Sequence, residues 1–184
     1  MLQKKDGCGL PFFKESSFKV AKLIFDNPNT TFHLRKIAKT AGLSTTAALS
    51  ALKEMHKSNM IQINKTSLTM NVQANTDSET YASYKRIFNL YRIEHSDLIP
   101  ALKEAYKPET IVLFGSFAKG EDAEESDIDI LLITQRKTTN MTLERFEKEL
   151  QRSINLHILS SLNTSEFKNA TANGIVLHGY LKVA

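Results

Sequence analysis

Leu113-Phe114-Gly115-Ser116-Phe117-Ala118-Lys119-Gly120 is followed, after five residues, by Ser126-Asp127-Ile128-Asp129-Ile130-Leu131-Leu132-Ile133. The first stretch reads as an apolar strand running into a Gly-Ser turn. The second reads as a strand opened by two carboxylates. Side chains two apart on a strand point to the same face, so Asp127 and Asp129 project together while the apolar residues behind them anchor the strand. Gly115 permits a tight turn and close backbone approach. Ser116 adds a hydroxyl where a helix should start, and backbone N–H groups at such a start favour an anion. Two convergent carboxylates beside that turn suit a divalent cation and a polyphosphate together. The competing readings are a plain helix cap at Ser116 and two surface acids that shape a turn. Taken together, the two stretches favour the phosphate reading.

The pair of stretches resembles the signature of the nucleotidyltransferase superfamily that includes DNA polymerase β, in its minimal form. That signature runs Gly-Ser-x-Ala-x-Gly, a spacer, then Ser-Asp-x-Asp and an apolar run. It is met here by Gly115, Ser116, Ala118, Gly120, Ser126, Asp127 and Asp129. The resemblance implies transfer of a nucleoside monophosphate from a nucleoside triphosphate (NTP) to a hydroxyl on a protein, a nucleic acid or a small molecule. It implies two Mg2+ ions held by Asp127 and Asp129, with the terminal phosphates gripped by Gly115 and Ser116. Lys119 is either a further phosphate contact or an exposed surface lysine. Glu121, Asp122, Glu124 and Glu125 read as a solvated loop.

The third strand departs from that signature. Where the family carries apolar-Asp-apolar, Ser153-Ile154-Asn155-Leu156-His157-Ile158-Leu159 has Asn155. Asparagine can coordinate or hydrogen-bond but cannot take a proton from a nucleophile. His157 shares the strand face with Asn155. It stands either as the base or as a hydrogen-bonding member of the site. The candidate catalytic set is therefore Asp127, Asp129, Asn155 and His157. Loss of the acid bears on catalysis more than on binding, since a general base contributes about 10²–10⁴-fold.

The chain has 184 residues, of which 41% are apolar, enough for one large or two small packed domains. A single cysteine, Cys8, excludes an internal disulfide and a Cys-rich zinc site. No apolar run approaches the roughly 20 residues of a membrane span, and the N-terminus lacks a signal-peptide core, so a cytoplasmic location is expected. Residues 1–108 carry 16 Lys/Arg against 9 Asp/Glu, whereas 109–184 carry 8 against 11. A basic half is suited to an anionic polymer; a solvated basic surface is the plain alternative.

The order of elements before the motif gives that basic half a shape. A helix from Ser16 or Ser17 stops at Asn27-Pro28-Asn29. Thr31–His33 is extended, Leu34–Thr40 is helical, Ala41–Ser44 turns, and a third helix spans Thr45–Lys57. Two alternating runs, 60–64 and 68–72, make a hairpin. Leu34 to Ser44 resembles the core of winged helix-turn-helix domains, with Ala38 and Ala41 allowing close helix approach and Gly42 taking the turn. Arg35, Lys36, Thr45, Thr46, Lys53 and Lys65 are the candidate DNA contacts. An aromatic stripe of Tyr81, Tyr84, Ile87, Phe88 and Tyr91 marks a core-facing helix over 78–92. A break near 94–100 and a helix over 102–106 follow.

The expected fold is α/β (α+β): a winged helix-turn-helix domain over 1–76, a helical linker over 77–108, and a small mixed-sheet nucleotidyltransferase domain over 109–184. The alternatives are a catalytically weak, nucleotide-sensing regulator, and an antitoxin-like partner of a helical HEPN-type protein, a pairing the resemblance implies. A homodimer is compatible with either.

Overall fold

The computed structural model describes residues 14–67, 69–136, 141–161 and 173–181. The sequence also suggests a tail over 1–14 that packs through Leu10, Phe12 and Phe13 and a helix over 165–173; apart from residues 14 and 173, both lie outside the described residues. The chain divides into two compact units, Met1–Tyr81 and Ala82–Ala184.

The first unit opens with α1 (Glu15–Asp26), a short strand β1 (Phe32–His33), α2 (Leu34–Ala41) and α3 (Thr45–Lys57). Strands β2 (Ile61–Lys65) and β3 (Met70–Ala74) complete an antiparallel sheet of order β1-β3-β2. Apolar residues at helical spacing bury one face of each helix. Phe18, Val20, Ile24 and Phe25 of α1 meet Ile37 and Ala38 of α2 and Ala48, Ala51, Leu52 and Met55 of α3 in one core. Each fully buried large aliphatic side chain is worth about 1.5–3 kcal/mol. Gly42 ends α2 in the left-handed region at φ +65°, and the hydroxyl of Ser44 accepts from the Ala47 amide at 3.1 Å to start α3, as expected from the turn.

The second unit takes up α4 (Glu79–His95) from Ala82 onward, then α5 (Leu98–Tyr106), β4 (Thr110–Phe114), α6 (Gly115–Lys119), β5 (Ile128–Ile133), α7 (Glu144–Leu150), β6 (Ile154–Leu159) and β7 (Ile175–His178). Its sheet has the order β6-β5-β4-β7. β4 is antiparallel to β5 and β7, while β5 and β6 are parallel. The mixed helix-and-sheet architecture agrees with the expected α/β class. One sheet face carries Ile111, Leu113, Ile128, Ile130, Leu132 and Ile154, packed with Leu98, Leu102, Phe117, Phe146 and Leu150 into the core. The other face is left for polar side chains near the start of β5.

Three local expectations are corrected. α5 begins at Leu98, with Pro100 in its first turn rather than in a break, because a proline there forfeits no intrahelical hydrogen bond. The buried face of α4 runs through Tyr81, Lys85, Phe88 and Asn89, whereas Tyr84 and Ile87 are exposed. Asp122, read as part of a solvated loop, is only 3% exposed, because side chains from α4 and Arg152 satisfy it.

Candidate active site

The register places the site. Phe114 pairs with Asp129 across the antiparallel ladder, and Asp129 pairs with Asn155 across the parallel one. These residues therefore form a row across three strands. Asp127 lies two residues before Asp129, at the mouth of β5. The turn before it is closed by Ser126, whose hydroxyl accepts from the Ala123 amide at 2.9 Å.

Four polar side chains come together here. The amide nitrogen of Asn155 donates to Asp127 Oδ2 at 3.0 Å and to Asp129 Oδ1 at 3.4 Å. His157 Nε2 stands 3.6 Å from Asp129 Oδ1, and the His157 and Phe114 rings lie 5.2 Å apart, tilted at 59°. Phe114 carried no sign of a role in the sequence; it enters through strand pairing alone. Gly115 closes the site from the side of β4. Its φ is +76°, and a β-carbon at this position would collide with the Asp129 carboxylate. The glycine thus serves both backbone and space. Ser116 follows in the first turn of α6, and Lys119 is exposed near its end.

The donor set suits a hard divalent cation. Two carboxylates and a carboxamide oxygen, reachable by rotation of Asn155, are ligands of the type Mg2+ accepts, with water and phosphate oxygens filling the remaining positions. Among the described residues, no group of three or more His, Cys, Asp or Glu side chains converges as a metal cluster. With Asn155 beside Asp127 and Asp129, the set carries one negative charge fewer than three acids would supply.

Residues 96–180 match the family model described as polymerase beta, nucleotidyltransferase. That stretch, which lies in the second unit, is thus similar to nucleotidyltransferase domains. Two curated proteins of Methanocaldococcus jannaschii, each named "Putative protein adenylyltransferase", resemble it. One is 61% identical over 31 residues, which make up 17% of this chain and 31% of that protein. The other is 37% identical over 57 residues, 31% of this chain and 66% of that protein. The chain thus spans less than two thirds of the length of either relative. The second unit also holds a hollow of about 530 Å³ between the loop before β5 and α7, and Asp127, Asp129, Asn155 and His157 are not among its lining residues.

The candidate DNA contacts are all exposed. Arg35, Lys36 and Lys65 line one cleft of the first unit, about 620 Å³ in volume, together with His33, Leu34, Thr66, Ser67, Thr69 and Met70. Thr45, Thr46 and Lys53 on α3 are not among its lining residues. Among the described residues, no helix is long and apolar enough to cross a membrane.

Proposed function

We propose that the second unit transfers a nucleoside monophosphate from an NTP to a hydroxyl acceptor, releasing pyrophosphate. The observation that carries this reading is the convergence of Asp127, Asp129 and Asn155 within hydrogen-bond distance, with Gly115 directly against Asp129. The name borne by the relatives favours ATP as donor and a protein hydroxyl as acceptor.

In the proposed reaction the acceptor oxygen bonds to the α-phosphorus, the bond from that phosphorus to the bridging oxygen breaks, and pyrophosphate leaves. Asp127 and Asp129 would hold divalent metal, with Asn155 turning its carbonyl oxygen inward. The metal, when bound, neutralises phosphate charge and lowers the pKa of the attacking hydroxyl. Gly115 and the Ser116 hydroxyl receive the terminal phosphates, and Lys119 contributes charge from the end of α6. His157 would take the acceptor's proton or orient Asp129. The first unit is proposed as a winged helix-turn-helix domain for DNA, on the strength of its helix order and of the cleft that gathers Arg35, Lys36 and Lys65.

A second reading has one observation in its favour. Asn155 occupies the position of the missing acid, so the site is compatible with a nucleotide sensor that turns over slowly or not at all. One experiment separates the two. The full chain is incubated with Mg2+ and each NTP labelled at the α-phosphate, and pyrophosphate release, labelled acceptor and nucleotide binding are followed. Transfer supports the enzyme; binding without turnover supports the sensor; no binding rejects both. Asp127→Asn with Asp129→Asn should abolish Mg2+-dependent nucleotide binding while shifting the melting temperature by no more than about 2–4 °C. A large loss of stability would instead mark the pair as structural. Co-purification of a helical HEPN-type protein with the chain would identify a protein acceptor or partner.

A further inference from the structure

The inward face of α4 carries two polar side chains among its apolar ones, where an apolar stripe was expected. Lys85 is 1% exposed and Asn89 is 2% exposed. Both reach Asp122. Lys85 Nζ donates to the Asp122 backbone carbonyl and lies 3.3 Å from its Oδ2. Asn89 Nδ2 donates to Asp122 Oδ1 at 2.7 Å and to the Phe117 carbonyl at 3.0 Å. Arg152 Nη2 approaches Asp122 Oδ2 at 3.9 Å. A β-carbon at Gly120 would run into the carbonyl of Ala82 and the amide of Arg86, so the end of α6 sits directly on α4.

The sequence positions of these partners show what the node joins. Phe117 follows Ser116 in the phosphate turn. Asp122 begins the loop that delivers Asp127. Arg152 lies two residues before the strand that carries Asn155. Asp122, with Asn89 bridging from it to the Phe117 carbonyl, therefore joins all three segments that bear site residues.

Burying a lysine–carboxylate pair costs desolvation that its attraction only partly offsets, and apolar replacements are often as stable or more so. Such a pair is poorly explained by stability alone. It is well suited to directional restraint, because charge-assisted hydrogen bonds are short and geometrically demanding. We propose that Asp122, with Lys85 and Asn89, is a positioning device that fixes the spacing between the Gly115–Ser116 turn and the Asp127–Asp129–Asn155 row. This inference rests on the nucleotide site proposed above. None of the three residues touches nucleotide; they act through the segments they hold.

The test uses the full-length protein with Lys85→Met and Asp122→Asn combined, which removes both charges, keeps side-chain length and leaves an oxygen for Asn89 to donate to. Lys85→Arg is the conservative control. Hydrogen exchange of the backbone amides is measured without ligand, and binding of Mn2+ with α,β-methylene ATP is titrated well below the melting temperature. The double variant should stay folded, with amides of 115–127 exchanging about tenfold faster while β4 and β5 core amides are unchanged. Its affinity for the Mn2+–nucleotide pair should fall about tenfold, whereas the single variant Lys85→Arg should retain most of it.

Unchanged exchange and affinity in a folded double variant would overturn the proposal. So would a uniform loss of protection through β4 and β5, which is the mark of a merely structural role. If the double variant does not fold, Asn89→Ala is read by the same two measurements and judged by the same outcomes. Wild-type protein that binds no Mn2+–nucleotide would reject the nucleotide site itself, while the exchange pattern still decides whether the node restrains these segments.

Discussion

Asn155 donates from one amide group to two carboxylates. Two carboxylates that share one donor repel, and a neutral donor between them offsets part of the repulsion without a cation. An aspartate here would reverse both effects. It would add a third charge to an uncompensated cluster, and it would supply the acid expected for proton removal and metal ligation. Asn155→Asp should therefore raise the transfer rate by at least about 10²-fold, the lower end of a general-base contribution. It should also lower the melting temperature in EDTA by about 2–4 °C, with recovery on adding Mg2+. Pyrophosphate release and paired thermal melts check the two halves, and no gain in rate would mean that His157 or the local geometry already replaces the acid. At this scale the sequence was readable up to a point. Strand alternation paired Asp127 with Asp129 and Asn155 with His157, but the meeting of the two pairs, the direction of the Asn155 amide and the Phe114–His157 ring contact depend on inter-strand register.

Among the elements, two glycines with similar backbone angles have different neighbours. Gly42 ends α2 at φ +65° with open space around it, while Gly115 sits at φ +76° against Asp129. A left-handed alanine costs about 1–2 kcal/mol by itself. Gly42→Ala should cost about that much in urea denaturation and nothing more. Gly115→Ala should cost more, about 2–4 kcal/mol, and should abolish nucleotide binding, because its β-carbon displaces a carboxylate. Equal costs with binding retained would show that Gly115 is only a turn residue. The turn signals in the sequence found both glycines; which one is crowded was not readable there. The same limit explains α4. Its aromatic residues suggested one inward face, but Lys85 and Asn89 lie inward because Asp122 and the Phe117 carbonyl, roughly 30 residues away in sequence, need donors. Local hydrophobic pattern carries no record of such distant partners.

For the molecule as a whole, charge is divided along the chain, with a basic excess over 1–108 and an acidic excess over 109–184. The cleft of the first unit gathers Arg35, Lys36 and Lys65, and each phosphate contact contributes about 0.9 to the slope of log affinity against log salt. Replacing all three by alanine should weaken duplex DNA binding and flatten that slope by about 2–3, as measured by fluorescence anisotropy between 50 and 200 mM salt (about the range over which such contacts are lost). An unchanged slope would place DNA elsewhere or nowhere on this surface. The sequence by itself determined the order of helices and strands, the Gly-Ser turn with its acidic strand, and the absence of an acid at position 155, because turn chemistry and side-chain periodicity are set by near neighbours. Only the tertiary structure decided that Asp129 rests on Gly115, that one amide spans two carboxylates, and that Asp122 is buried at a junction of three segments. Those facts depend on contacts between residues far apart in the chain, which form only once the sheet has its register and α4 has its packing partner.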